Sequence, residues 1–189
     1  MSLCIAVLTG VLTWSLLEYV IHRWLGHDRR FRGNAFGVEH IRHHIEGGYF
    51  APGWKKLIVA AVAAVVAGVP AVWAVGLPTG AAWVAGLIGF YGVYELLHRL
   101  EHVYGGIGPY GRWARRHHFT HHFVDARRNH GVTSPLWDWV FGTYQKPAII
   151  PVPERLCMQW LKDPATGEVR RDWAETFVLR GDKQPSQVT

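Results

Sequence analysis

The stretch LIVAAVAAVVAGVPAVWAVGL, residues 57–77, contains 21 residues without a charged side chain. At a rise of about 1.5 Å per residue, a helix of this length covers the roughly 30 Å hydrocarbon core of a bilayer. The sequence therefore predicts a transmembrane helix over 57–77. A turn at Pro78-Thr79-Gly80 is expected next, followed by a second apolar run over residues 81–97 that only Glu95 interrupts.

A third apolar run occupies residues 3–21 near the N-terminus and contains Glu18. A cleaved signal peptide is the alternative for this run. The run lacks a basic region before it and a small-residue cleavage site after it, so a membrane span is favoured. The sequence thus predicts three spans.

The distribution of basic residues predicts the orientation of these spans. With three spans, the ends of the first and the third lie on the same face of the membrane. Lys and Arg are absent before Arg23 and in the turn between the second and third spans, and they are frequent after the first and third spans. The positive-inside rule therefore assigns the segments after these two spans to the cytoplasm.

Net charge and cysteine content exclude two other classes of protein. The chain is basic, with a formal net charge of +6, but basic residues beside apolar spans serve orientation and contact with anionic lipids, so no nucleic-acid partner is expected. Cys4 and Cys157 provide neither a disulfide framework nor a thiolate metal site. Any metal must then be bound mainly through nitrogen.

The twelve histidines of the chain fall into four groups, all on the predicted cytoplasmic side. The groups are His22 and His27; His40, His43 and His44; His98 and His102; and His117, His118, His121 and His122 followed by His130. Metal coordination is the strongest cause for such clustering.

The spacing within the groups predicts how the rings are presented. Both triplets, His40, His43, His44 and His118, His121, His122, have the spacing i, i+3, i+4. These positions share one face of a helix, so each triplet is expected to converge on one point. His98 and His102 are one helical turn apart. His22 and His27 are five residues apart, which fits a helix end where Gly26 lets the chain bend. Ten ring nitrogens exceed the needs of one ion and fit two ions, each with four or five ligands.

Metal-bound imidazoles usually donate their second N–H to a carboxylate or a carbonyl. Five acidic residues are candidates for this outer position: Glu18, Glu39, Glu101, Asp125 and Asp138. A salt bridge to a nearby arginine is the alternative for Glu18. His117 and His130 fall outside the repeated spacing and are expected beside the metals rather than on them.

The ligand type alone fits iron or zinc. Structural zinc sites are usually closed and four-coordinate, so ten histidines favour a paired redox metal instead. Two iron ions with O2 as co-substrate could oxidise an unactivated C–H bond, and zinc can occupy the same ligands in a purified sample.

The order of these boxes resembles the fatty acid hydroxylase and sterol desaturase superfamily of integral-membrane di-iron oxygenases. The boxes are His-x4-His, His-x2-His-His, His-x3-His and His-x2-His-His, and their spacing is most similar to the fatty acid 2-hydroxylase branch. EYVIHRWLGH (18–27) and HHFTHHFVDARRNHGVTSPLWDWVFGTY (117–144) resemble its motifs, and the resemblance covers about residues 18–144.

The resemblance implies an all-α fold, a multi-pass membrane helical bundle capped by a cytosolic helical, histidine-rich metal domain. Residues 1–147 would form one membrane-embedded hydroxylase domain with metal-binding segments 22–44 and 98–130, and residues 148–189 a C-terminal cytosolic cap or tail. The implied metal ligands are His22, His27, His40, His43, His44, His98, His102, His118, His121 and His122.

The implied activity is O2-dependent hydroxylation of a membrane lipid or fatty acyl chain, with desaturation or oxidative demethylation as alternatives on the same site. The sequence shows no carrier domain or iron–sulfur cysteine set, so a separate electron donor is expected, either cytochrome b5-like or a ferredoxin with its reductase. The expected location is the bacterial inner membrane or the endoplasmic reticulum.

Two departures from the family are three spans instead of four, and His130 where an aromatic residue is more usual. Two other classes of protein are alternatives. A b-type haem carrier would leave the histidine triplets without a role. A membrane metal-binding protein would need ionisable residues deep in the spans.

Overall fold

A computed structural model describes residues 2–106 and 108–181, which are mostly helical. The elements in chain order are α1 (Leu3–Val20), a π-helical turn (Ile21–Gly26), a 3-10 turn (Arg29–Phe31), α2 (Ala35–Glu46), α3 (Gly53–Val75), α4 (Leu77–Val103), α5 (Gly108–Phe123), α6 (Leu136–Val140), β1 (Ile150–Pro153), a second 3-10 turn (Glu154–Leu156) and β2 (Phe177–Arg180).

Three helical segments of the described chain are long and apolar enough to cross a membrane: Leu3–Gly26, Gly53–Val75 and Leu77–Val103. The first and third contain the predicted runs 3–21 and 81–97, and the second contains all of 57–77 except Gly76 and Leu77. Many large apolar side chains on these helices are exposed, among them Val66 at 68% and Trp73 at 90%. Such a surface needs an apolar solvent, which a bilayer provides.

The turn between the second and third spans differs from the prediction at Pro78-Thr79-Gly80. Gly76, with φ of 80°, ends α3, and α4 begins at Leu77 with a proline in its first turn. Proline fits there because the first N–H groups of a helix have no intrahelical acceptor. The third span is therefore longer than predicted at both ends.

Glycines bring α1 and α4 into direct backbone contact. A Cβ atom at Gly10 would lie 2.1 Å from the carbonyl oxygen of Trp83, and one at Gly86 would lie 2.1 Å from that of Val7. Close approach at small residues is the usual basis of helix association in lipid. This packing holds the C-terminal ends of α1 and α4, where the two histidine pairs lie, side by side.

The C-terminal segment adds a feature that an all-α prediction lacks. β1 and β2 form a two-stranded parallel sheet in which Ile150 pairs with Phe177. Pro151 and Pro153 explain why β1 is extended, since proline cannot continue a helix. A hydrophobic core joins this segment to α5, and it consists of Phe119, Ile150, Val152, Met158, Leu161, Trp173 and Phe177.

This packing places the predicted C-terminal cap against the face of α5 that carries Phe119. Residues 182–189 of the predicted cap lie outside the described residues. The boundary at residue 147 stays a prediction. The core gives α5 a fixed position from which to present its histidines.

Candidate metal centre

Two clusters of five histidines lie where the ends of the membrane helices meet α2 and α5. The first cluster contains His22, His27, His40, His44 and His121, and the second cluster contains His43, His98, His102, His118 and His122. Within each cluster, one ring nitrogen from every histidine lies within 4.8 Å of the others. The structure thus brings together all ten histidines that the sequence singles out, in two groups.

The triplets are distributed differently from the prediction that each converges on one point. His40 and His44 belong to the first cluster, whereas His43 belongs to the second. In α5, His118 and His122 belong to the second cluster, whereas His121 belongs to the first. Around a helix, residue i+4 lies about 40° from residue i, and adjacent residues lie about 100° apart. The i+3 and i+4 side chains therefore point to opposite sides of residue i. Each triplet therefore contributes to both clusters.

A π-helical turn, not a glycine bend, brings His22 and His27 to the same side of the chain. The turn spans Ile21–Gly26, and its i→i+5 hydrogen-bonding pattern suits two histidines that are five residues apart. The two ring centroids lie 5.3 Å apart. Gly26 serves a different purpose, because a Cβ atom there would lie only 3.0 Å from Cδ2 of His40. Its lack of a side chain lets α2 approach.

Backbone carbonyl groups fix the tautomers of three rings. Nδ1 of His22 lies 2.6 Å from the carbonyl oxygen of His130, Nδ1 of His121 lies 2.7 Å from that of Arg128, and Nδ1 of His43 lies 2.6 Å from that of Tyr49. Because a carbonyl oxygen only accepts, each Nδ1 must donate. In the neutral ring, Nε2 then carries an unshared lone pair.

Two of these lone pairs face each other, because the Nε2 atoms of His22 and His121 are 2.9 Å apart. Nε2 of His121 is equally far from that of His27, and in the second cluster Nε2 of His98 lies 3.1 Å from that of His43. Two lone pairs at such distances repel unless a cation lies between them.

Protons are poor candidates for that cation. Burial lowers the pKa of His27 and of His43 to about 4. Burial and the neighbouring imidazoles also hold the pKa of His40, His44, His118, His121 and His122 well below the usual value. Both ring nitrogens of His122 are buried without a hydrogen-bond partner among the described residues. Neutral imidazoles in this arrangement fit transition-metal ions.

Glu101 is the carboxylate that lies nearest to a clustered imidazole. One of its oxygens is 3.5 Å from Nδ1 of His118, on the neighbouring helix, and the residue is 1% exposed. The sequence places Glu101 beside His102, whereas the structure brings it to His118. A carboxylate here can orient the His118 ring through its second nitrogen.

Glu18 contacts a loop and not His22. Its carboxylate accepts hydrogen bonds from the backbone N–H groups of Val132 and Thr133 and from the hydroxyl of Thr133. This loop follows His130, whose carbonyl oxygen accepts from His22. Glu18 therefore acts on the first cluster through the backbone.

Glu39 and Asp125 do not contact the imidazoles either. Glu39 accepts from the hydroxyl of Tyr49 and from Lys55, and thus holds the residue whose carbonyl oxygen accepts from His43. Asp125 pairs with Arg127, which is exposed. The surface ion pair of Asp125 gives no sign of a role at the site.

His117 and His130 lie outside both clusters and are connected through Asp138. Oδ2 of Asp138 lies 3.1 Å from Nε2 of His117, and Oδ1 accepts from the backbone N–H of His130 at 2.9 Å. Asp138 is fully buried. Burial disfavours its charge, but hydrogen bonds from His117, Thr143 and Gly131 hold its pKa below the usual value. The aspartate fixes the loop that carries the carbonyl group of His130.

The acceptors that sequence reasoning missed are the carbonyl groups of Tyr49, Arg128 and His130. Every residue has a carbonyl group, so no residue type could have revealed them. The only available signal is position, since each follows a histidine triplet in the sequence.

The sequence of this chain is similar to those of known proteins. A sequence model described as fatty acid hydroxylase matches residues 7–143. The dihydroceramide fatty acyl 2-hydroxylase FAH2 of Arabidopsis thaliana is 31% identical over 151 residues, which cover 71% of this chain and 58% of that protein. The human fatty acid 2-hydroxylase is 32% identical over 150 residues, covering 71% of this chain and 38% of that protein.

A solved structure also matches. Full-length scs7p, of which only the hydroxylase domain is visible, superposes with a TM-score of 0.60 at 26% identity and covers 77% of this chain and 57% of that one. The chain thus spans between about two fifths and three fifths of the length of these relatives. The matched region contains all ten clustered histidines. The chain belongs to the fatty acid hydroxylase family.

Proposed function

We propose that this chain is a membrane-embedded lipid hydroxylase that holds two iron ions, one in each histidine cluster. The single observation that carries the proposal is the set of ten buried or half-buried imidazoles in two groups of five. Five nitrogen ligands leave one position of a six-coordinate ion for another molecule. Two iron ions bound here would supply the redox chemistry that activates O2 for attack on an unactivated C–H bond.

The protein itself supplies the arrangement of ligands and the exclusion of water. His22 and His121 are held by carbonyl acceptors with Nε2 directed into the first cluster, and His43 is held likewise in the second. His118 and His121 are at most 1% exposed. A rigid and largely dry site positions the reacting carbon and prevents side reactions with water.

The substrate proposed is a fatty acyl chain of a membrane lipid, hydroxylated at carbon 2. The names of the relatives support this, since they include a dihydroceramide fatty acyl 2-hydroxylase and a fatty acid 2-hydroxylase. The position of the clusters also supports it, because they lie at the ends of the apolar helices α1 and α4, next to the expected lipid. The proposed orientation, which follows the positive-inside rule, has both clusters on the cytoplasmic side.

The reaction can be tested in cells that express the wild type or His121→Ala under labelled O2. We expect a lipid one oxygen heavier in the wild type and its absence in the variant, because His121 lies 2.9 Å from two other first-cluster nitrogens. Trp73→Phe is the matched control, since Trp73 is 90% exposed at the far end of α3. Mass spectrometry of the lipids gives the product.

Each outcome of this experiment is decisive. An alkene in place of the alcohol would assign desaturation to the site. A wild type that binds two metal ions per chain and leaves the cellular lipids unchanged would contradict the proposal. Metal analysis of the purified protein distinguishes iron from zinc in the same samples.

A further inference from the structure

A basic cavity lies on the surface of α5, outside both histidine clusters. It has a volume of about 270 Å³, and its lining includes Arg112, Arg116 and Lys146 together with the aromatic rings of Trp113 and Trp173. Its lining contains no carboxylate. Arg112 and Lys146 are exposed, so their charges are available to an approaching molecule.

Three buried polar atoms in this lining have no hydrogen-bond partner among the described residues. They are Nε of Arg116, Nδ1 of His117 and Oε1 of Gln145, and His117 is 3% exposed. The guanidinium of Arg116 donates to the carbonyl groups of Pro147 and Ala148, and these neutral acceptors do not cancel its positive charge. The cavity therefore has a positive charge that no carboxylate in its lining balances.

His117 also connects this cavity to the first cluster. Its Nε2 lies 3.1 Å from Asp138, whose other oxygen accepts from the N–H of His130 at 2.9 Å. The carbonyl oxygen of His130 in turn lies 2.6 Å from Nδ1 of His22. Three hydrogen bonds thus join the floor of the cavity to a ring of the first cluster.

The proposed function, on which this inference rests, requires a supply of electrons. Hydroxylation follows R–H + O2 + 2 e⁻ + 2 H⁺ → R–OH + H2O. A one-electron carrier can supply the two electrons in two steps, becoming oxidised as the centre is reduced.

We propose that the cavity is the docking site of an acidic one-electron carrier protein, and that His117, Asp138 and His130 connect it to the first cluster. The exposed cations Arg112 and Lys146 attract carboxylates on the carrier surface. A protein fits this site better than a small anion because both cations are exposed and can contact several carboxylates of one partner surface.

Binding is the first test, and it requires no bound iron. The probes are soluble cytochrome b5 and an acidic [2Fe–2S] ferredoxin, each titrated against the whole chain in neutral-lipid nanodiscs by surface plasmon resonance. Charge steering raises association rates by about 10- to 1000-fold. We therefore expect Arg112→Glu with Lys146→Glu to slow association of at least one carrier about tenfold. Arg32→Glu, an exposed arginine in the loop before α2, is the control and should have no effect.

Several results would overturn the docking site. They are binding of neither carrier, equal effects of the double variant and Arg32→Glu, or loss of inorganic phosphate binding in the double variant with unchanged carrier binding. The last result would assign the cavity to a small anion. Lys146→Glu alone gives a second measurement if the double variant is unstable.

The connection through His117 is tested by the rate of reduction of the iron-loaded centre. In His117→Gln and His117→Phe, we expect at least tenfold slower reduction by saturating carrier and unchanged reduction by dithionite. An equal loss with both reductants would mean that His117 serves only the structure. If dithionite supports no lipid hydroxylation in the wild type, the proposed function fails, whereas failure with the carrier alone overturns only the docking site.

Discussion

Replacing Gly26 with alanine should weaken metal binding in the first cluster without altering the fold of the chain. Gly26 lies in the π-helical turn between His22 and His27, and it is absent from the glycines with positive φ, so alanine can adopt its backbone conformation. The new methyl group would meet the ring of His40 at 3.0 Å and that of Phe36 at 3.4 Å.

The size of the effect follows from these distances. Ordinary van der Waals contact of a Cβ atom begins at 3.4 Å, so the His40 ring must move by about 0.4 Å. Phe36 stacks on this ring, with centroids 5.4 Å apart, and it also contacts the new methyl group. The His40 ring therefore has little room to move away. Metal–ligand distances tolerate about 0.2 Å. Disturbed ligand orientation usually lowers metal affinity by about 10- to 100-fold, and we expect a loss of this order.

Metal content after exposure to a graded series of chelator concentrations is the appropriate assay. The wild type should keep about two ions per chain to higher chelator concentration, whereas Gly26→Ala should lose about one ion early and keep the second, because the second cluster contains none of the displaced residues. Gly89→Ala in α4 is the matched control, since a methyl group there meets no atom within 4 Å.

The reasoning is refuted if Gly26→Ala retains both ions with wild-type affinity. It is also refuted if the variant loses both ions together with its helical circular dichroism signal, because the substitution would then act on the fold. Gly89→Ala must retain both ions for the comparison to hold.

Three further outcomes are expected. Glu18→Gln should lower the free energy of unfolding by about 2 kcal/mol, because hydrogen bonds to a charged acceptor contribute roughly 1.5–3 kcal/mol each. The control Glu46→Gln should change the free energy of unfolding by at most about 0.5 kcal/mol. Thermal unfolding in detergent measures both variants. Gly86→Ala should prevent the membrane helices from packing, since its methyl group would lie 2.1 Å from a carbonyl oxygen, and size-exclusion chromatography should show aggregation that Gly92→Ala does not cause. His130→Phe should keep about two metal ions by elemental analysis, because only its backbone carbonyl contacts a clustered ring nitrogen; a loss of one ion would make its imidazole a ligand.

The membrane helices and the ten clustered histidines could be predicted because both are local features of the chain. A charge-free run such as residues 57–77 is long enough to span a bilayer whatever surrounds it. The histidine spacings place the rings on helix faces without knowledge of the partner helix. The turn at Gly76 was missed because Pro78 is compatible with either a turn or the first turn of a helix.

The division of the rings into two clusters depends on tertiary structure and was not predictable in this way. Helical spacing places His43 and His44 about 100° apart, but only the positions of α4 and the π-helical turn decide which side each ring serves. The π-helical turn itself has no clear sequence signal. The carbonyl acceptor of His22 and the role of Glu18 depend on a loop more than 100 residues away in the chain, which contains His130, Val132 and Thr133.

In the proposed two-ion centre, the 2:1 division of each histidine triplet makes α2 and α5 shared supports for both ions. A small rotation of either helix about its axis would turn all three of its histidines in the same sense. The rings would then move towards one ion and away from the other. The two ions are therefore mechanically coupled: occupation of one site restrains the helix that must supply ligands to the other. An ion bound in one cluster should accordingly raise the affinity of the other cluster for its own ion.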